Sequence, residues 1–386
     1  MPMQTALGAY YMIGEETTWG VPVTPTIGLG LVPGESLKQL PVYARSKGII
    51  AGAGVMRSTQ RAIAGYDASG SVPLEMYDRS MSTVLKHMFG NVTGSGPFTY
   101  TPVGGSLSGK GLTWQKVLPN SVDGTGAPFT LTGAKIAKWQ LKGQAREIAT
   151  LGLDLVGRHL IDFRSVSDSV TNSTATVTSA TAVFSPDDVG KPVSGTNIPA
   201  NSFVGVVNSA TSIGLSSSAL TNTPVNASGS GSGGTLNIGV SAAAASYASG
   251  FGLGMIMSQS SVTIGGTAYK TNTVTIDGDN KLDQRTFVNN YFIDEPLESG
   301  LREYSITIDS EFFSTAAYQK VMNGAEVAVV CNFAVGASTL QITANGFYEA
   351  DTPTANDTTT VKQQIKLTVD ATTTDASALT AVLSTA

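Results

Sequence analysis

Residues 302–313 read REYSITIDSEFF, and this stretch decides the fold class. Tyr304, Ile306, Ile308 and Phe312 fall on one side of an extended chain, while Glu303, Ser305, Thr307, Asp309 and Glu311 fall on the other. A period of two marks a strand with one buried face. The alternation recurs in residues 360–371, TVKQQIKLTVDA, where Val361, Gln363, Ile365, Leu367 and Val369 oppose lysines, Gln364, Thr368 and Asp370. It recurs again in residues 137–146, AKWQLKGQAR, with Trp139 and Leu141 against Lys138, Gln140 and Lys142. One sheet face is therefore expected in a core and the other against water or a polar partner, as antiparallel sheets allow.

Composition agrees. Only 13% of the 386 residues are charged, below the roughly 25% of average domains. Glycine, serine, threonine and alanine replace them, which favours strands and turns over helices. Low charge also suits a surface that ends against other chains, because interface centres are charge-depleted; an ordinary threonine-rich β protein reads the same way. The net charge of −5 argues against wrapping nucleic acid, which needs a basic face.

Two short helices interrupt the strands. Residues 78–90, DRSMSTVLKHMFG, space Met81, Val84, Leu85 and Met88 on one helical face, with Asp78 or Ser80 as cap and Gly90 as stop. Residues 314–324, STAAYQKVMNG, repeat the pattern with Ser314 as cap, Ala317, Val321 and Met322 inward and Gly324 at the end. Between 165 and 245 the chain is nearly charge-free, with only Asp168, Asp187, Asp188 and Lys191. Its short strand-like runs TATVTS, TAVF, PVSG, SFVGVVN, SIGLSS and TLNIGV indicate a small sandwich or barrel. The run SGSGSGG within it reads as a linker or loop tip. This organisation gives a discontinuous domain, 1–164 and 246–386, carrying an inserted sandwich-like β domain at 165–245; a long decorated hairpin of one domain is the alternative.

Chemistry is sparse. His87 and His159 stand without a His, Cys or carboxylate at metal-ligand spacing, so no metal, cofactor or catalytic residue is expected. Cys331, the single cysteine, sits in the apolar run VAVVCNF and reads as a buried thiol. Neither a secretory leader nor a convincing apolar span is visible, so a soluble cytosolic product is expected. Residues 38–66 form a long glycine-rich segment of one sign, with Lys38, Arg45, Lys47, Arg57 and Arg61 and no acid. Loops of that length are usually functional.

Ahead of it stands GEETTWGVPVTP, residues 14–25, an extended, proline-studded arm holding Trp19. Gly14, Glu15, Thr17, Gly20 and Pro22, then Gly70 and Val72, then Val84, Leu85 and Gly90, resemble in order the N-terminal half of the tail tube (major tail) proteins of long, non-contractile-tailed bacteriophages. Residues 260–288, SSVTIGGTAYKTNTVTIDGDNKLDQRTFV, resemble the family's second half, so the likeness covers 1–164 and 246–386. The insert departs from the basic family fold; residues 179–220 resemble small modules that recur in phage virion proteins.

The resemblance implies an all-β fold: a β-barrel or sandwich with one or two flanking helices. It implies hexameric rings that stack into a tail tube around the tape-measure protein and the passing DNA, with tail terminator and distal tail or baseplate proteins at the ends. It also implies assembly in the host bacterial cytoplasm and a place in the virion, without a membrane. Glu303, Asp309 and Glu311 are then candidates for the lumen face, an outer solvated face being the alternative. Trp19, Lys38, Arg45, Lys47, Arg57 and Arg61 are candidates for contacts between subunits or rings; for Trp19 the subunit's own barrel is the other option. A glycan-binding virion surface protein or capsid decoration is the rival reading, and an enzyme is a weaker one because no carboxylate pair across a cleft is defensible.

Overall fold

A computed structural model describes residues 8–48, 55, 60–102, 105–119, 126–247, 252–288, 290–312, 315–354, 361–370 and 378–385. Its centre is an antiparallel sheet in the order Lys38–Arg45, Arg61–Glu75, Thr150–Gly157, Gly126–Gln144, Thr271–Asp279, Glu303–Glu311, Lys362–Val369, Ser338–Thr354. Two of these strands are long enough to change partners along their length, and Gly126–Gln144 passes from one sheet into another. The first half of Gly126–Gln144 pairs with Gly111–Pro119 and His159–Asp162, and Gly111–Pro119 continues to Tyr10–Glu16 and Ile27–Leu29. The first half of Ser338–Thr354 pairs with Glu326–Val335 and Leu379–Ser384, which extend to Ile256–Ile264 and Phe98–Thr101.

The core lies on the side the alternation assigned to it. Tyr304, Ile306 and Ile308 are buried with Trp139, Leu141, Val274, Ile276, Ile365 and Leu367. Trp139 stands directly opposite Gly278, and its indole occupies the space where any Cβ at 278 would sit, 2.2 Å from Cε2. On the indole's other sides, the rings of Phe89 and Tyr304 lie 5.5 and 6.0 Å away. Phe89 comes from α1 (Ser82–Phe89), which buries Val84, Leu85 and Met88 in the same cluster and ends at Gly90.

Several expectations change in detail. The residue before α1 is Met81, not Asp78 or Ser80; the Asp78 carboxylate instead accepts a 2.8 Å bond from the Leu253 amide. Phe312 falls beyond the strand end and is exposed, because Glu303–Glu311 stops one residue earlier. The second helix, α2 (Ala316–Met322), buries Val321 partly but leaves Met322 exposed; Ser314 lies outside the described residues.

The charge-poor insert is a closed barrel rather than two stacked sheets. Its strands run Arg164–Asn172, Thr176–Thr178, Ser212–Ser216, Ser202–Ser209, Pro192–Gly195 and Ser230–Ile238, the last pairing with the first. Val177, Phe184, Val193, Val204, Ile213, Leu215, Leu236 and Ile238 form a core of their own, separate from the main one. SGSGSGG is not a linker: Ser230 to Gly234 open the closing strand and pair with Ser169 to Asn172. Backbone hydrogen bonds suffice there, since the ladder needs no side chains. TAVF forms no strand, although Phe184 still fills the barrel core.

Trp139→Ala should lower stability by about 3–5 kcal/mol, the usual cost of deleting a buried aromatic. Val183→Ala, at a side chain 75% exposed, should change it by less than about 0.5 kcal/mol. Denaturant midpoints of the two variants against the parent chain check the difference.

Candidate functional site

The uncovered face of the central sheet is an organised polar surface. Register places its side chains in cross-strand rows. Asp154, Lys138, Asp279 and Glu303 make one row; Gln140, Asp277, Ser305 and Thr368 the next. Lys142, Thr275, Thr307 and Lys366 follow, then Gln144, Thr273, Asp309 and Gln364. The face is hollow, enclosing ≈ 790 Å³ over the first rows, with a second hollow of ≈ 380 Å³ beside Asp309.

Two lysines on this face and one at its rim are held by acids. Lys138 Nζ lies 3.4 Å from Asp279, and Lys366 Nζ 2.6 Å from Glu349. Lys281, at the rim, reaches Glu303 at 2.7 Å and Asp279 at 3.3 Å. The Lys366 ammonium and the Thr368 hydroxyl hold the Glu349 carboxyl below its ordinary range. Gln140 and Gln364 donate to Asp277 and Asp309 at 2.7 and 2.8 Å. With Glu311 at the end of its strand, carboxylates outnumber lysines, and the surface presents negative charge.

Glu303, Asp309 and Glu311 thus share one face. Asp154, Asp277, Asp279 and Glu349 join them and were missed, although Asp277 and Asp279 alternate with Ile276 and Gly278 in the sequence. Only strand order, which brings residues 138, 154, 279 and 303 side by side, makes them a row.

The basic segment 38–66 is not a structureless loop. Lys38–Arg45 and Arg61–Glu75 pair as a hairpin arm with a register shift between Val42 and Tyr43. Lys38 lies at its base, and Arg45 stands directly opposite Arg61 near its end. The Arg61 guanidinium sits 3.3 Å over the Tyr43 ring. Among the described residues neither arginine has a carboxylate partner. Leu40 and Val42 are 54% and 41% exposed, and Lys47 is exposed just past the strand. Arg57 lies outside the described residues.

Trp19 sits on its own subunit. It is 5% exposed, and Nε1 donates to the Gly133 carbonyl at 2.8 Å. Gly133 has φ +61, and a Cβ there would lie 2.9 Å from the indole. Beneath it Glu16, 4% exposed, accepts from the Gly20 and Gly133 amides at 2.7 and 2.8 Å and from the Thr113 hydroxyl at 3.0 Å. Burial pushes its carboxyl from 4.5 up to about 7, against those three bonds and the field of Arg158. Neighbouring Glu15 points the other way, to Lys86 and His87 on α1, and their hydrogen bonds, His87's foremost, pull it down to about 2. GEETTWG is therefore a clasp, one acid on each side.

His87 and His159 each face a single carboxylate, Glu15 at 3.5 Å and Asp187 at 3.3 Å, and burial pulls both imidazoles down. Among the described residues no group of three His, Cys, Asp or Glu side chains is placed to hold a metal. What the geometry offers is surface: an open acidic face, a basic arm and a clasp.

Residues 7–212 match the family model for a phage tail tube protein. The chain belongs to that family. No curated protein matches it. Membership makes this tail tube protein a structural component of the virion tail that assembles with its own copies into a tube. The matched span holds the clasp, the arm, α1 and the Asp154 and Lys138 side of the open face. It does not stop at the junction with the small barrel but runs through most of its strands. No helix among the described residues is long and apolar enough to cross a membrane.

Because Glu16 has a folded-state value above its unfolded one, its contribution is fully present below pH 4.5 and is lost as pH rises through about 7. Each unit of offset is worth about 1.4 kcal/mol. Glu16→Gln removes the titration, so the melting temperature of the parent chain relative to this variant should fall between about pH 5 and about pH 8. Thermal melts across that range check it.

Proposed function

We propose that the protein forms rings, six subunits in each as the family resemblance implies, which stack into the tail tube, with the open sheet face lining the lumen. The tape-measure protein and later the DNA pass along that face. The observation carrying this reading is the continuous polar face of a tail tube sheet, in which carboxylates exceed lysines and Lys138 and Lys366 are paired. A surface of that kind repels phosphate and offers few unpaired cations for a sliding duplex to catch on. The role is structural rather than enzymatic, and the ends of the tube are met by terminator and distal tail proteins. Residues 1–164 and 246–386 act as the tube-building body and 165–245 as an inserted domain, a division supported by the barrel's separate core.

The arm is the element that reaches a neighbouring subunit or ring. Two arginines directly opposite one another destabilise an isolated hairpin, and a two-stranded ribbon alone is marginal in water. An acidic, partly apolar surface on the next copy relieves both, and complementary charge of this sort fixes register more than it adds affinity.

Purified protein viewed by negative-stain microscopy should yield hollow tubes with a stacked annular repeat; compact monomers under all conditions would refute the reading. Arg45→Glu with Arg61→Glu should abolish tubes while leaving the monomer's melting temperature within a few degrees. Asp277→Lys with Glu303→Lys should still build tubes, but these should retain short duplex DNA in a pelleting assay at low salt, where parent tubes release it.

A further inference from the structure

Among the described residues the insert meets the base of the arm through a cluster of polar groups, several of them buried, that the open sheet face does not use. Its centre is Asp187, in the short 3-10 turn Pro186–Asp188 of the barrel. Gln39, at the base of the arm, donates from Nε2 to Asp187 Oδ1, while its own Oε1 accepts the Leu160 amide at 2.8 Å. One side chain thus joins the arm, the His159–Asp162 strand and the insert. A second route reaches the same carboxylate through rings. Tyr66, opposite Pro41 on the arm's other strand, stacks on Phe292 at 5.6 Å. Phe292 stacks on His159 at 4.3 Å, and His159 Nε2 lies 3.3 Å from Asp187.

On the other side of the cluster the cations are buried. Lys191 of the insert, 2% exposed at its side chain, holds Asp187 at 2.9 Å, Asp188 at 3.1 Å and, from the main body, Asp162 at 2.6 Å. Arg158, 4% exposed, donates to the Ala219 carbonyl of the barrel at 3.0 Å and lies 5.3 Å over the Phe292 ring. Lys191 and Asp188 are buried, so removing a carboxylate partner leaves buried charge less compensated, and the set responds together.

We propose that the insert is a brace for the arm: Asp187 fixes the arm's base through Gln39 and the Tyr66–Phe292–His159 stack, so that insert orientation and arm orientation are energetically coupled. Two otherwise exposed strands then leave the body at a set angle. Coupling is reciprocal: an arm engaged by a neighbour firms the insert, and anything that tilts the insert is felt at the arm. The coupling itself is a property of the free chain; its consequence for tube building rests on the arm reading proposed above.

Hydrogen–deuterium exchange on the full-length chain tests this. Asp187→Asn should speed exchange in 38–44 and 61–66 by about tenfold or more, the worth of a hydrogen bond to a charged group. The open-face strands Thr271–Asp279 and Glu303–Glu311 should not change. Gln39→Ala, which alters only the arm's end of the contact and guards against loss of folding in the first variant, should speed exchange reciprocally in 186–191. If Asp187→Asn loosens the insert while the arm keeps its parental exchange, or if Gln39→Ala leaves the insert unmoved, the brace is wrong. Tubes that still form from a demonstrably loosened arm would instead sink the arm's docking role and leave the coupling intact.

Discussion

Everything in the main body leans on the burial of one face of the central sheet around Trp139. The indole closes over Gly278, touches α1 through Phe89, and meets Tyr304 from the strand whose alternation is clearest. Burying that side commits each strand's polar set to the opposite side, because successive side chains alternate. The acidic rows are thus a by-product of the core: once Ile276 and Ile306 are inside, Asp277 and Ser305 have nowhere else to go. A one-residue slip in any of these strands would invert both surfaces together.

The local pattern made the strands, both helices and the inward residues legible, since period-two and helical spacing are properties of neighbours in sequence. Its failures were equally physical. SGSGSGG has no side-chain signal, so only its backbone partner could reveal it as a strand. The arm was hidden because glycine and alternating small residues blur the pattern in residues 48–65. Phe312 was misassigned because strand ends are set by what pairs across, not by the alternation itself. The acidic rows needed strand order, and strand order is a long-range fact. Glu16 and Asp187 were least visible: one acid of an adjacent pair in GEETTWG or SPDDVGK gives no hint that it will be drawn into a polar cluster.

Those two acids each gather a polar cluster. Glu16 accepts from the Gly20 and Gly133 amides and the Thr113 hydroxyl, so it ties together three stretches of chain beneath Trp19. Asp187 is met by side chains from the arm, the His159–Asp162 strand and its own barrel. Its environment is therefore built by segments far apart in sequence, and it reports on the placement of arm and insert as Glu16 reports on the strands beneath Trp19.

The two long strands have a mechanical meaning. Gly126–Gln144 has 19 residues, about 60 Å of contour at strand rise, and belongs to one sheet at its start and another at its end. Ser338–Thr354, 17 residues long, stays in one sheet but exchanges Leu379–Ser384 for Lys362–Val369 along its length. Sheets that merely pack face to face can shear by sliding side chains past one another. Sheets threaded by common strands can shear only by stretching covalent backbone or unzipping ladders along their length. Shear within such a subunit therefore costs ladder hydrogen bonds and not side-chain contacts alone.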